Sequence, residues 1–196
     1  MTYECFPSTG TPKLLVIPVN LDDSKKNNET LAEIDLAFNG TKETTGWESV
    51  KSFYQESSYG KLNMECDVMD EWFTPSKAAS YYESYYDYDT YSDGTSLILS
   101  EALAYYETKL DLSDYDYDND GFIDSVWLIY NKDVDYVSSD SIYWAYVTWS
   151  ADEVKYDGKY CCYYGWAGTD FMHEETQSYP TDGFVVDAHT YIHETG

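Results

Sequence analysis

Positive charge is what this chain has least of. Lys and Arg together number 11 against 37 Asp and Glu in 196 residues, a formal net charge of −26. A surface of that sign repels phosphate backbones and anionic lipid alike, and no stretch resembles a basic patch, so nucleic-acid and membrane-surface roles are not expected. No run of ~18 apolar residues exists that could span a membrane. The opening "MTYECFPSTG" has neither the basic start nor the apolar run of a secretory leader. If the protein is exported, its leader has been removed. Cysteine is also sparse: Cys5, Cys66, Cys161 and Cys162 lack the C-x-x-C spacing of a zinc ribbon or a redox motif. Cys161 and Cys162 are adjacent in an expected strand and should point to opposite faces. Isolated, mostly buried thiols are the expectation. Repeats and linkers are absent, which favours one unit over residues 1–196.

What the chain does have is apolar and aromatic mass. Hydrophobic residues make up 43% and aromatics 18%, with six Trp and 23 Tyr, so a packed core rather than disorder is expected. "KLLVIPVNL" (13–21) reads as a buried strand in which Pro18 marks an edge or a bulge. "NETLAEIDLAFNG" carries Leu31, Ile34, Leu36 and Phe38 near helical spacing and stops at Asn39-Gly40. "TGWESVKSFYQESSYGKLN" has a second stripe of Trp47, Val50, Phe53 and Tyr54 before the break at Gly60. "LNMECDVMDEWFT" alternates like an amphipathic strand, whereas "KAASYYESYYDY" fits helix or loop. "DGTSLILSEALAYYETKLDL" is the clearest helix, and "DSVWLIYN" a second buried strand. Further strands are expected around "YWAYVTWS" and "GKYCCYYGWA". A last helix is expected in "FVVDAHTYIHETG", with Val185, Ala188, Ile192 and Thr195 on one face and a start near Pro180, Asp182 and Gly183. Helices alternating with strands predict a mixed α/β (α+β) fold.

The densest charge lies in "DYDYDNDGFIDSV". Asp116, Asp118 and Asp120 alternate, followed by Gly121 and Asp124, which matches the opening D-x-D-x-D-G-x-x-D of an EF-hand-type calcium loop. Alternate carboxylates in a tight loop can converge on one cation, the carbonyl of Phe122 can add an oxygen, and Asp124 can close the shell. The bidentate Glu that completes an EF-hand is replaced by Trp127. Asp and Asn also favour plain solvated turns. Six Asp between Asp111 and Asp124 nevertheless repel one another unless a cation neutralises them, which favours a structural calcium.

Three histidines remain, His173, His189 and His193. "HEETQ" puts Gln177 where an H-E-x-x-H motif needs its second histidine, so it fails as a zinc motif. "HETG", residues 193–196, carries the first four positions of that motif. On a helix, positions i and i+4 share a face, which lets two histidines grip one zinc with the intervening Glu beside the metal. His189 and His193 are also i and i+4, but without a glutamate in the right place, so His189 is read as a bystander or a fortuitous metal clip.

The chain resembles the N-terminal part of the catalytic domain of immune inhibitor A-type secreted bacterial metallopeptidases. The pieces that carry the resemblance are "VIPVNLDD", "GWESVKSFYQESSYGKLN", "DYDYDNDGFIDSVWLIYN" and "FVVDAHTYIHETG", in that order over most of residues 13–196. It implies a zincin-like fold in which a twisted mixed sheet carries packed helices and an active-site helix. It implies His193 as first zinc ligand, Glu194 as general base and Gly196 as the tight position before a second histidine. The second and third ligands would lie beyond Gly196, so residues 1–196 alone are expected to be inactive, and the end of the helix to fray. The expected partner is a protein or peptide substrate lying along an edge strand, and the expected form an extracellular or cell-surface monomer. The competing reading is a calcium-stabilised, non-catalytic extracellular binding module, or a decayed peptidase, that uses its aromatic face.

Overall fold

The computed structural model describes residues 6–134, 141–150, 154–161, 163–173 and 185–196. In chain order the elements are β1 (Lys13–Val19), α1 (Asn28–Asn39), α2 (Lys42–Thr45), α3 (Val50–Ser57), β2 (Glu65–Val68), α4 (Ala79–Ser84), β3 (Tyr86–Asp87), β4 (Ser92–Asp93) and α5 (Gly94–Tyr106). Then come β5 (Phe122–Ile123), β6 (Val126–Tyr130), β7 (Tyr146–Trp149), β8 (Lys155–Tyr156), β9 (Lys159–Cys161), β10 (Tyr163–Gly168) and α6 (His189–Thr195). The main sheet has the order β2-β1-β6-β10-β7; its first four strands are parallel and β7 runs antiparallel to β10. Two small sheets, β3-β4 and β5-β9-β8, stand beside it. The expected mixed α/β class holds.

The continuous apolar runs follow from burial of the sheet on both faces, as parallel strands require. Leu14, Val16, Trp127, Ile129 and Ala167 face α1, α3 and α6, meeting Ile34, Phe38, Val50, Tyr191 and Ile192. Leu15, Ile17, Val19, Val126, Leu128, Tyr130, Tyr164 and Trp166 face the other way, against Ile98, Leu99, Ala102, Leu103 and Tyr106 of α5. Each such aliphatic side chain, fully buried, contributes about 1.5–3 kcal/mol. Gly165 of β10 has no room for a side chain, since a Cβ there would lie 2.4 Å from the Trp127 ring.

Several local expectations change. Pro18 lies in an interior strand, yet its missing N–H costs little. β2 has ended at Val68, and the Pro18 carbonyl accepts from Phe73 N at 2.8 Å in the chain beyond. The helix with the Trp47 stripe starts later than expected, at Val50, because Gly46 takes a left-handed φ of 88° that ends the short α2 and Ser49 caps α3 through Ser52 N. Trp47 falls in the break and is partly exposed. The amphipathic strand shortens to β2, and the tyrosine-rich segment becomes α4 followed by the β3-β4 hairpin. Cys66 and Cys161 are both buried, and burial pushes the Cys66 thiol up to about 12. Cys5 and Cys162 lie outside the described residues, as do Pro180, Asp182 and Gly183, where a helix start was expected. Among the described residues, no helix is long and apolar enough to cross a membrane.

Candidate functional site

The last helix is shorter than its apolar spacing suggests. Val185 and Val186 are not helical; both donate their N–H to Thr45 O, at 2.8 and 3.4 Å, and Val185 is 54% exposed. The helix begins at His189 because the buried Asp187 accepts that residue's N–H at 2.8 Å, satisfying a first-turn donor. Tyr191 and Ile192 are buried, with the Tyr191 hydroxyl donating to Gly168 O at 2.8 Å. His193 is exposed and Glu194 half-exposed, so α6 turns its apolar residues inward and this pair outward. His189 is exposed too, with its ring edge-on to Trp47 at 6.3 Å. His173 ends a 3-10 turn elsewhere, 3.4 Å from a Glu33 oxygen.

The end of α6 is held rather than loose. Thr195 Oγ1 donates to Tyr191 O at 2.7 Å and accepts from Trp127 Nε1 at 3.2 Å. The Tyr54 hydroxyl of α3 donates to Ile192 O at 2.7 Å. Tyr191 O and Ile192 O therefore carry side-chain donors just ahead of the last carbonyls, which ties this turn to α3 and β6. Sequence reasoning placed Tyr54 in an apolar stripe and missed its polar task. Burial raises its pKa above the ordinary value and keeps it a protonated donor.

In the acidic loop, carboxylate oxygens of Asp116, Asp118 and Asp120 lie within 4.8 Å of one another. Asn119 and Gly121 take φ of 61° and 97°, which curls the loop around that point. Asp116 is buried and accepts from Asp120 N and Gly121 N; Asp120 accepts from Phe122 N at 2.9 Å. Asp124 stays outside the converging trio and accepts from Tyr117 N at 3.0 Å. Burial first, and then the charges of Asp118, Asp116 and Asp120, raise its carboxyl to about 6. Phe122 opens β5, paired with Tyr160.

One residue there escaped the sequence reading. Lys159 of β9 places its ammonium 2.5 Å from Asp116 Oδ2. Nothing in the sequence joins positions 43 residues apart; the β5-β9 pairing does. Lys13 neutralises Asp114 in the same way at 2.9 Å, and Asp111 caps the turn at Leu112–Tyr115. Mutual repulsion among the six aspartates is thus partly relieved by lysine and by backbone N–H groups. Charge alone therefore does not demand a cation here, while the convergent geometry remains suited to a hard cation.

No family model matches the chain, and no curated protein aligns with it significantly.

Proposed function

We propose that this chain forms the N-terminal part of the catalytic domain of a secreted, zinc-dependent endopeptidase with a zincin-like fold. The observation that carries the reading is the orientation of α6, which buries Tyr191 and Ile192 and leaves His193 and Glu194 toward solvent. A second feature supports it. α6 packs against β10 and β7, and β7 is the antiparallel edge strand. Val147 pairs with Gly165, which faces Trp127 on the α6 side of the sheet; Val147 and Trp149 therefore lie on that side, with Trp149 70% exposed. An extended peptide adding to β7 would run past α6 and find apolar side chains for its own.

The described residues do not hold a catalytic zinc by themselves, because no group of three donors among them includes His193. The reading assigns the remaining ligands to residues beyond Gly196. Zinc, when bound, supplies Lewis acidity toward water and the scissile carbonyl. The part left to Glu194 is to take a proton at its carboxylate and return it to the leaving amine. Its half-exposed position suits contact with both. Calcium, in the same proposal, sits among Asp116, Asp118 and Asp120, with the Phe122 carbonyl and Asp124 completing the shell and Lys159 competing for Asp116. Its role is structural, since it would bind the native state alone.

The test is the gene past the codon for Gly196, followed by expression of its full product. A histidine next, a further ligand downstream, and casein hydrolysis lost in Glu194→Gln and on zinc chelation are the expected results. A different residue after Gly196, or hydrolysis indifferent to Glu194, would leave the calcium-stabilised binding module as the better account. Tyr59, Tyr88 and Tyr91 are exposed aromatic side chains of the kind such a module uses.

A further inference from the structure

Gly196 and Tyr54 fit each other in a way that neither apolar spacing nor the zinc motif explains. A Cβ at Gly196 would stand 2.4 Å from Tyr54 Oη, yet 3.5 Å from Cζ and 3.7 Å from Cε1. The conflict is thus with the hydroxyl oxygen alone; the ring behind it is at ordinary van der Waals distance. Gly196 is not among the glycines held at positive φ, so space rather than backbone conformation requires glycine there. Nor is the hydroxyl free to swing aside. It donates to Ile192 O, and its ring packs edge-on against Phe53 at 5.3 Å.

We propose that Tyr54 is a positioning residue for α6: its hydroxyl, bonded to Ile192 O and seated against Gly196, sets the rotation and depth at which His193 and Glu194 face solvent. The Ile192 carbonyl belongs to the peptide that leads directly into His193, so a shift of this bond moves the motif itself. Trp127, through Thr195, holds the same turn from the sheet side. The two donors reach the helix from different elements, α3 and β6, which restrains rotation as well as translation. The consequence for catalysis rests on the peptidase reading, whereas the geometric coupling does not.

The experiment is a double-mutant cycle in the full-length product, with Tyr54→Phe, Gly196→Ala and the pair. Thermal melting is the first readout. Gly196→Ala is expected to lower Tm, and adding Tyr54→Phe to restore most of the loss, because the offending oxygen is gone. The second readout is hydrolysis of a peptide at a temperature where every variant is folded. Tyr54→Phe is expected to lower kcat roughly tenfold or more with KM little changed, as a displaced catalytic group would. Losses in Tm that simply add, or a Tyr54→Phe variant with unaltered kcat, would overturn the proposal. Should the parent protein show no zinc-dependent hydrolysis, the peptidase reading fails, and the coupling in Tm alone decides whether Tyr54 positions α6.

Discussion

Asp124 shows how one carboxyl can read as a metal ligand in sequence and behave differently in the fold. It is buried beside three other carboxylates, and its pKa stands at about 6 against an ordinary 3.8. The folded state therefore keeps a proton that the unfolded chain releases near pH 4. Without metal, the Asp124 contribution to stability is present below pH 4 and lost as pH rises through 6. Melting curves in EDTA between pH 4 and 7 should fall more steeply for the parent than for Asp124→Asn; equal slopes would show that Asp124 ionises normally. Calcium should reverse the trend, because a bound cation favours the ionised form and competes with the proton. The calcium-induced rise in Tm should accordingly shrink below pH 6.

Among the elements, α5 was the most legible and α6 the least. α5 has thirteen residues, a broad apolar face and a capping aspartate directly before it. Asp93 Oδ1 accepts from Thr95 N at 3.0 Å and Ser96 N at 2.9 Å, filling two orphan donors of the first turn. Asp93→Ala should cost about 1–2 kcal/mol, and Asp93→Ser distinctly less, as read from urea midpoints. A loss equal in both variants would assign the effect to charge rather than capping. α6 could not be bounded in the same way. Val185 and Ala188 have helical spacing, but tertiary bonds from Val185 and Val186 to Thr45 O hold the chain out of the helix up to Asp187. The stripe around Trp47 overruns its helix for a local reason: the left-handed Gly46 and the Ser49 cap delay the start to Val50, so Trp47 lies outside it.

For the whole molecule, the net charge of −26 governs behaviour in solution more than any single bridge. Among the described residues, ion pairs such as Lys109–Glu71 and Lys132–Glu83 are surface contacts that solvent screens. Self-repulsion among the remaining carboxylates is screened as the Debye length falls from about 30 Å at 0.01 M salt to about 3 Å at 1 M. Tm should rise with sodium chloride over that range, at roughly 2–4 °C per kcal/mol of relieved repulsion. Calcium at matched ionic strength should raise it further. A Tm that falls with salt would mean that attractive pairs outweigh repulsion.

The sequence by itself determined what depends on neighbours along the chain. These are the buried strands β1 and β6, the helix α5, the mixed α/β class and the curl of the loop at Asp116, Asp118 and Asp120. Composition, period and turn chemistry are local properties, and these features need little else. Only the tertiary structure decided that β7 is the antiparallel edge beside α6, that Lys159 answers Asp116, and that Tyr54 braces the turn bearing His193 and Glu194. Each of these joins residues far apart in sequence, 138 positions in the case of Tyr54 and Ile192. Such pairings are fixed by sheet order and by helix packing, which no short window of sequence encodes.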